Sequence, residues 1–330
     1  MVNWYIIPEE SKLRPFNFII GGYGIGKTYS VISRAVLSYP GAFLYLRNTG
    51  EQLKECCGTF GNPFKKWANN NDRDITMKME KSHAVVYERT SEEQKIIGYG
   101  ANLSTFENLR SIDLSGIKFV IYEEFIENRT LQFDQFKNFT RAYETINRNR
   151  ELLGQPPVYV VLLSNAQRLG NPILRGYNLI PTIEAMQKSG QRVCVCNNGQ
   201  VRIELPFSEV SEAKKETALY KATEGAKFHG EAINNNFIND SFTGVKKVNI
   251  NEYTPMCCID DIYIYRHKSE VLYYACAIPA NIRRFNSKDN FLVFYKIFGY
   301  QLKIAIGSDK IFFSDYATKV DLLGLLKMLY

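Results

Sequence analysis

Residues 21–28 read Gly-Gly-Tyr-Gly-Ile-Gly-Lys-Thr, filling every fixed position of G-x-x-x-x-G-K-[ST]. This spacing suits the binding of a polyphosphate. Glycines let the backbone curl until its N–H groups and the start of the following helix face phosphate oxygens. The lysine then neutralises the β- and γ-phosphates, and the neighbouring hydroxyl holds Mg²⁺. Gly21, Gly22, Tyr23, Gly24, Ile25, Gly26, Lys27, Thr28 and the adjoining Tyr29 are therefore the expected nucleotide-binding residues, with ATP and Mg²⁺ as ligands.

A second constellation is Phe119-Val120-Ile121-Tyr122-Glu123-Glu124, an apolar strand ending in paired carboxylates. Neighbouring side chains on a strand point to different faces, so the acids can take different tasks. Glu123 is expected at the metal, and Glu124 at the attacking water as general base. Aspartate is the usual first acid of such a pair. The extra methylene of Glu123 leaves both a direct and a water-mediated metal contact open. A third buried stretch, Val158–Leu163, ends in Ser164 and Asn165. These are either γ-phosphate sensors on a strand between the other two or a plain strand-end turn.

These groups need a sheet whose strands share one carboxyl edge. Phe16–Ile20, Phe43–Leu46, Phe119–Tyr122 and Val158–Leu163 are short, apolar and rich in β-branched or aromatic residues, the pattern of a parallel α/β sheet. A helix is expected over Thr28–Leu37. Phe133, Phe136, Phe139, Tyr143 and Ile146 mark the packing face of another. Cys194–Cys196 and Val201–Leu205 read as a hairpin around Asn197–Gln200. From Ser208 the chain turns polar. Beyond Asn236, β-type alternation is read through Ile262, Ile264, Val271–Ala275, Phe291–Phe298 and Leu302–Ile306, before a helix at Lys319–Leu329. The expected division is a P-loop ATPase domain over 1–207, a linker with a small helical segment over 208–240, and a small α+β domain over 241–330.

The totals are compatible with this reading. A chain of 330 residues suits about two domains. Its net charge of +7 allows a polyanionic partner without requiring one. Seven cysteines and three histidines match no zinc-ligand spacing and read as free thiols of a reducing compartment. No apolar run suits a membrane span and Met1–Glu10 does not resemble a signal peptide, so a soluble, cytoplasmic, non-secreted chain is expected.

Taken together, the motifs resemble the genome-packaging ATPases of the small protein-primed podophages, the phi-29-like group, which are relatives of terminase large subunits. The resemblance rests on Gly22–Thr28, Glu124-Phe125-Ile126, Arg148-Asn149-Arg150-Glu151, Leu163-Ser164-Asn165-Ala166 and Asn236–Ser241. It implies an additional-strand, catalytic-glutamate ATPase acting as a homo-oligomeric ring, expected to be a pentamer. The ring would sit on the portal, or connector, vertex of a procapsid in the host cytoplasm and drive double-stranded DNA inward. A packaging RNA is left open as a further partner. The resemblance also places catalytic arginines acting across subunits at Arg148 and Arg110, and Arg47 near the nucleotide. For the C-terminal part it implies an RNase H-like domain without a working nuclease. DNA contact is assigned there to Lys246, Lys247, Arg283 and Arg284 through phosphates. The alternatives are a complete terminase with an active nuclease, a C-terminal module docking portal or RNA, and another P-loop translocase or helicase.

Overall fold

The residues FNFII, FLYLR, FVIYE and YVVLLS are apolar almost throughout, and such strands are stable only where both sheet faces are covered. In the computed structural model, which describes residues 3–106, 113–127, 131, 133–166, 168–224 and 243–326, they form the centre of a nine-stranded sheet. Its strands are β1 (Phe16–Ile20), β2 (Phe43–Arg47), β3 (Asp74–Glu80), β4 (His83–Arg89), β5 (Gln94–Asn102), β6 (Phe119–Glu123), β7 (Tyr159–Ser164), β8 (Val193–Cys196) and β9 (Val201–Glu204). They lie in the order β3-β4-β5-β2-β6-β7-β1-β9-β8. From β5 to β9 all pairings are parallel, while β3–β4–β5 and β8–β9 pair antiparallel.

The expected intervening strand is present: β7 lies between β1 and β6, with Ile20 opposite Ser164 and Leu163 opposite Glu123. One sheet edge therefore carries the end of all three motif strands. Helices α1 (Lys27–Ser38), α2 (Gly50–Cys56) and α3 (Lys65–Asn70) bury Val31, Ile32, Ala35, Leu53 and Trp67 with Ile19, Tyr45, Ile121 and Val161. The opposite face takes α4 (Gln135–Asn147), whose Phe139 ring stacks 5.7 Å from that of Tyr122. Asp134 caps α4 by accepting from Lys137 N, so the helix starts after Phe133. In the β8–β9 hairpin, Asn197, Asn198 and Gly199 all take positive φ, a conformation these residue types tolerate.

The described residues through Tyr177 and from Ile183 to 224 form one unit, and Asn178–Thr182 with 243–326 form another. Ser208 caps a helix, Glu209–Lys214, and a second short helix follows at Ala218–Ala222, both within the first unit. The second unit is built on β10 (Tyr253–Ile259), β11 (Ile262–His267), β12 (Tyr273–Cys276), β13 (Arg284–Phe285) and β14 (Ile311–Phe313), in the order β13-β10-β11-β12-β14. β10–β12 form an antiparallel meander, with β13 parallel to β10 and β14 parallel to β12.

Phe291–Phe298 and Leu302–Ile306 are not β-type segments. They form one helical run, Phe291–Phe294, a π turn at Tyr295–Gly299, then Tyr300–Gly307. Phe294, Leu302 and Ala305 are buried at near-helical spacing against the sheet. The run is so apolar that its exposed side is also hydrophobic, at Leu292, Ile297, Tyr300 and Ile304, which hides the period. The C-terminal helix is Tyr316–Leu325, starting earlier than expected because Asp315 caps it.

Candidate active site

The phosphate loop leaves β1 at Gly21, which donates N–H to Ser164 O at 3.1 Å. Gly24 (φ 59°) and Gly26 (φ 98°) lie in the left-handed region, so the turn into α1 requires them. Lys27 is the first residue of α1 and is buried. Its Nζ donates to Gly22 O (2.6 Å), Gly21 O (3.0 Å) and Asn165 Oδ1 (3.1 Å). The loop, Thr28, Glu123, Glu124, Ser164 and Asn165 surround a cavity of about 330 Å³.

Glu123 is held from two sides. The Thr28 hydroxyl donates to Oε1, and the Tyr45 hydroxyl from β2 donates to Oε2. Burial first, then the Glu123 carboxylate, raises the Tyr45 hydroxyl well above its ordinary range, so it remains a donor. The extra methylene of Glu123 thus lets one carboxylate meet both α1 and β2. Thr28 and Glu123 supply adjacent hard oxygen donors, the set Mg²⁺ prefers, and so fit the metal.

Glu124 follows the strand with φ 52°, an uncommon conformation for a non-glycine residue. Its side chain accepts from Arg47 Nη2 at 2.5 Å, and Arg47 Nη1 lies 3.7 Å from Glu123. Arg47 therefore clamps both carboxylates and does not line the cavity; its buried Nε has no hydrogen-bond partner. A buried polar network fixes the turn. Asn48 Nδ2 donates to Glu124 O at 2.8 Å, the Tyr122 hydroxyl donates to Asn48 Oδ1, and Gln135 Nε2 reaches Asn48 Oδ1 and Phe125 O. Asn171 Nδ2 completes it by donating to Phe125 O and Gln135 Oε1. A satisfied buried network specifies one geometry, and here it sets the backbone that carries Glu124.

Sequence reasoning did not find this network, nor Tyr45, nor the N-terminal strap. Tyr5 N donates to Ile25 O at 3.0 Å and Ile7 N to Ser30 Oγ at 2.7 Å, laying residues 4–7 across the phosphate loop. Trp4, 56% exposed, covers Gly26 and lines both the phosphate cavity and an adjoining one of about 530 Å³. The one local signal is Trp4 next to Tyr5 in the stretch that precedes β1.

Arg148 caps α4 at φ 49°, ψ −132°, where glycine is at ease and arginine is strained. Its half-exposed side chain lies 3.9 Å from Asp113, a pairing worth little in water. Asn147 Oδ1 accepts from Val158 N, which fixes this corner at the amino end of β7. The cavity lies at the other end, about 17 Å along the strand at roughly 3.3 Å per residue. Arg148 is therefore not brought to the phosphate loop of its own chain. Arg110 and Asn236–Ser241 lie outside the described residues.

The proposed DNA contacts are not brought together. Lys246 and Lys247 flank the β14 edge, where Lys246 N donates to Phe313 O, while Arg283 and Arg284 belong to β13 and its approach. Those are opposite edges of the five-stranded sheet, about 19 Å apart at roughly 4.8 Å per strand. All four side chains are exposed. Asp260 and Asp261 form the β10–β11 turn: Asp260 has φ 50° and accepts from Ser287 N, and Asp261 is 99% exposed. Among the described residues no group of three or more His, Cys, Asp or Glu could hold a metal ion, and no helix is long and apolar enough to cross a membrane.

One consequence concerns pH. Burial lowers Lys27 to about 7, opposed by Glu123 and reinforced by Lys214. A polyphosphate selects the charged ammonium and restores a high pKa. Triphosphate binding above pH 7 is therefore expected to take up a proton, and affinity to fall as pH rises through that value. Calorimetry at pH 8 in two buffers of different ionisation enthalpy measures the uptake; identical heats would contradict it.

A family model described as podovirus DNA encapsidation protein (Gp16) matches residues 4–293. Over 242 residues the chain is 24% identical to the DNA packaging proteins of Bacillus phages PZA and phi29, covering 71% of this chain and 65% of theirs. The match thus spans just under two thirds of those relatives' length. By structure, the chain is similar to one in the bacteriophage Phi-29 viral genome packaging motor assembly, with TM-score 0.63 and 18% identity over 99% of this chain and 100% of that one. Because the family model matches most of its length, the chain belongs to the podovirus DNA encapsidation protein (Gp16) family.

Proposed function

We propose that this chain is an ATP-hydrolysing motor subunit that drives double-stranded DNA into a viral procapsid as part of a homo-oligomeric ring on the portal vertex. The convergence of Lys27, Thr28, Glu123, Glu124 and Asn165 on one cavity carries the reading. It is an arrangement suited to hydrolysis as well as binding, and family membership supplies the DNA. Lys27 and the loop N–H groups hold the β- and γ-phosphates. Thr28 and Glu123 would hold Mg²⁺, which when bound offsets charge on the phosphate oxygens. Glu124 orients a water and takes its proton as that oxygen bonds to the γ-phosphorus and the bond to ADP breaks. In its pair with Arg47 the guanidinium is buried and the carboxylate half-exposed, and when Glu124 turns toward the cavity it lines, Arg47 keeps Glu123 as its partner. Asn165, already on Lys27, reports the terminal phosphate. Arg148, remote from its own loop and strained, serves the site of a neighbouring subunit.

Steady-state ATP hydrolysis by the full chain tests this reading. Turnover stimulated by double-stranded DNA is expected, and turnover indifferent to DNA contradicts a DNA motor. A nuclease reading is tested in the same preparation by metal-dependent nicking of plasmid, which is expected to be absent.

The adjoining cavity suits the base. Trp4, with the Lys66 ammonium 5.8 Å from its ring centroid, lines this cavity together with Tyr29 and Asn70, and stacking of a base on such a ring contributes about 1–3 kcal/mol. ATP is expected to quench Trp4 fluorescence, since the other tryptophan, Trp67, is buried. Inorganic tripolyphosphate, which reaches the phosphate cavity but brings no base to stack, should quench less. Trp4→Ala should raise the KM for ATP about tenfold or more with kcat little changed. Equal quenching by ATP and tripolyphosphate would remove Trp4 from the base site.

A further inference from the structure

After β9 the chain runs along the phosphate loop and touches it at its start, Gly21, and at its middle, Tyr23 and Gly24. Pro206 packs on Gly21, where a Cβ would come within 2.8 Å of the proline ring. Ser208 Oγ donates to Asn3 O at 2.8 Å, and Glu209 accepts from Asn3, tying this segment to the N-terminal strap. At the end of the helix Glu209–Lys214, the Lys214 Nζ donates to Tyr23 O. A Cβ on Gly24 would lie 2.8 Å from that nitrogen, so Gly24 both supplies its positive φ and admits the lysine.

This contact is chemically incomplete. Among the described residues the Lys214 ammonium pairs with no carboxylate; a single carbonyl dipole is all that compensates it. Burial disfavours its charge, and it acts against Lys27 across the same loop. Two desolvated ammonium groups sharing one loop repel each other, and a phosphate chain in the cavity, which Lys214 does not itself line while it rests on Tyr23 O, would relieve that. Lysine stems are flexible, so Nζ can leave the carbonyl for a nearby oxygen without backbone movement.

Resting on the hydrolytic reading above, we propose that Lys214 is a second phosphate-binding lysine, a catalytic cation supplied in cis. It leaves Tyr23 O for the phosphate chain of a bound nucleoside triphosphate. As water adds to the γ-phosphorus, the electron pair of the breaking bond passes to the β-phosphate of ADP. Lys214 offsets that growing charge and transfers no proton. Its effect is therefore on the transition state, in the manner of a charged finger that belongs to the same chain. The polar segment after β9, read from sequence as a linker, thereby becomes part of the site.

The test uses the full chain with Lys214→Ala, Lys214→Arg and, as reference, Glu124→Gln. Steady-state ATP hydrolysis and thermal unfolding, with and without inorganic tripolyphosphate, are the readouts. Lys214→Ala is expected to lower kcat by on the order of 10²–10³-fold with a smaller change in KM. Lys214→Arg should recover most of it. Unfolding without ligand should be unchanged, and tripolyphosphate should stabilise Lys214→Ala less than the parent. Wild-type kcat in Lys214→Ala, measured against a parent that hydrolyses ATP, overturns the proposal and leaves the hydrolytic reading standing. Equal losses in both variants with a lowered unfolding temperature also overturn it, making Lys214 a structural tether. A parent no faster than Glu124→Gln removes the hydrolytic reading and the proposal together.

Discussion

Glu124→Gln is expected to bind ATP as the parent does and to hydrolyse it roughly 10³-fold more slowly. The substitution is nearly isosteric. It keeps an oxygen for the Arg47 donor at 2.5 Å, and the Asn48 contact to the backbone carbonyl does not depend on the side chain. It removes only the capacity to accept a proton from water. The positive φ of residue 124 is imposed by its surroundings, so stability should change little. Single-turnover hydrolysis, with affinity followed by Trp4 quenching, checks both halves. Retained turnover would move the general base elsewhere, whereas lost binding would make Glu124 a structural residue.

Arg148 offers the second large effect, because it separates activity from stability. A cationic finger acting on phosphoryl transfer is worth on the order of 10³–10⁵-fold in rate, so Arg148→Ala should lose most turnover while nucleotide binding persists. Arg148→Gly should be just as inactive, yet more stable by about 1 kcal/mol, since glycine takes φ 49°, ψ −132° without strain. Thermal unfolding beside steady-state turnover tests the pair. An active Arg148→Gly would show that the strained arginine serves only its helix end.

The parts of the site that were legible in sequence are those written in consecutive residues. Gly21–Thr28 and the strand ending in Glu123–Glu124 announce themselves by spacing and by an apolar run. The polar tip at Ser164–Asn165 was legible for the same reason, and the strand order placed it between the other two. What escaped depends on contacts across long stretches of chain. Asn48 meets Gln135 only once β2 and α4 are packed around Tyr122. Tyr45 looked like any core aromatic of a buried strand, and nothing local shows that its hydroxyl ends on Glu123. Arg47 is expected near the nucleotide, but its clamp on both carboxylates depends on the β2–β6 pairing. In the second unit, Phe291–Gly307 was too uniformly apolar for period alone to separate helix from strand. The basic residues Lys246, Lys247, Arg283 and Arg284 could be picked out by type, but only the sheet order shows that they occupy two edges.

The central claim is a ring whose subunits complete one another's sites while acting on DNA. The most direct measurement mixes Arg148→Ala chains with the parent at constant total subunit concentration and follows DNA-stimulated ATP turnover. A shared-site ring predicts a curve that falls below the line joining the two pure preparations, because each substituted subunit also disables its neighbour. Turnover strictly proportional to the fraction of parent chains would contradict it and leave an ATPase whose subunits work alone.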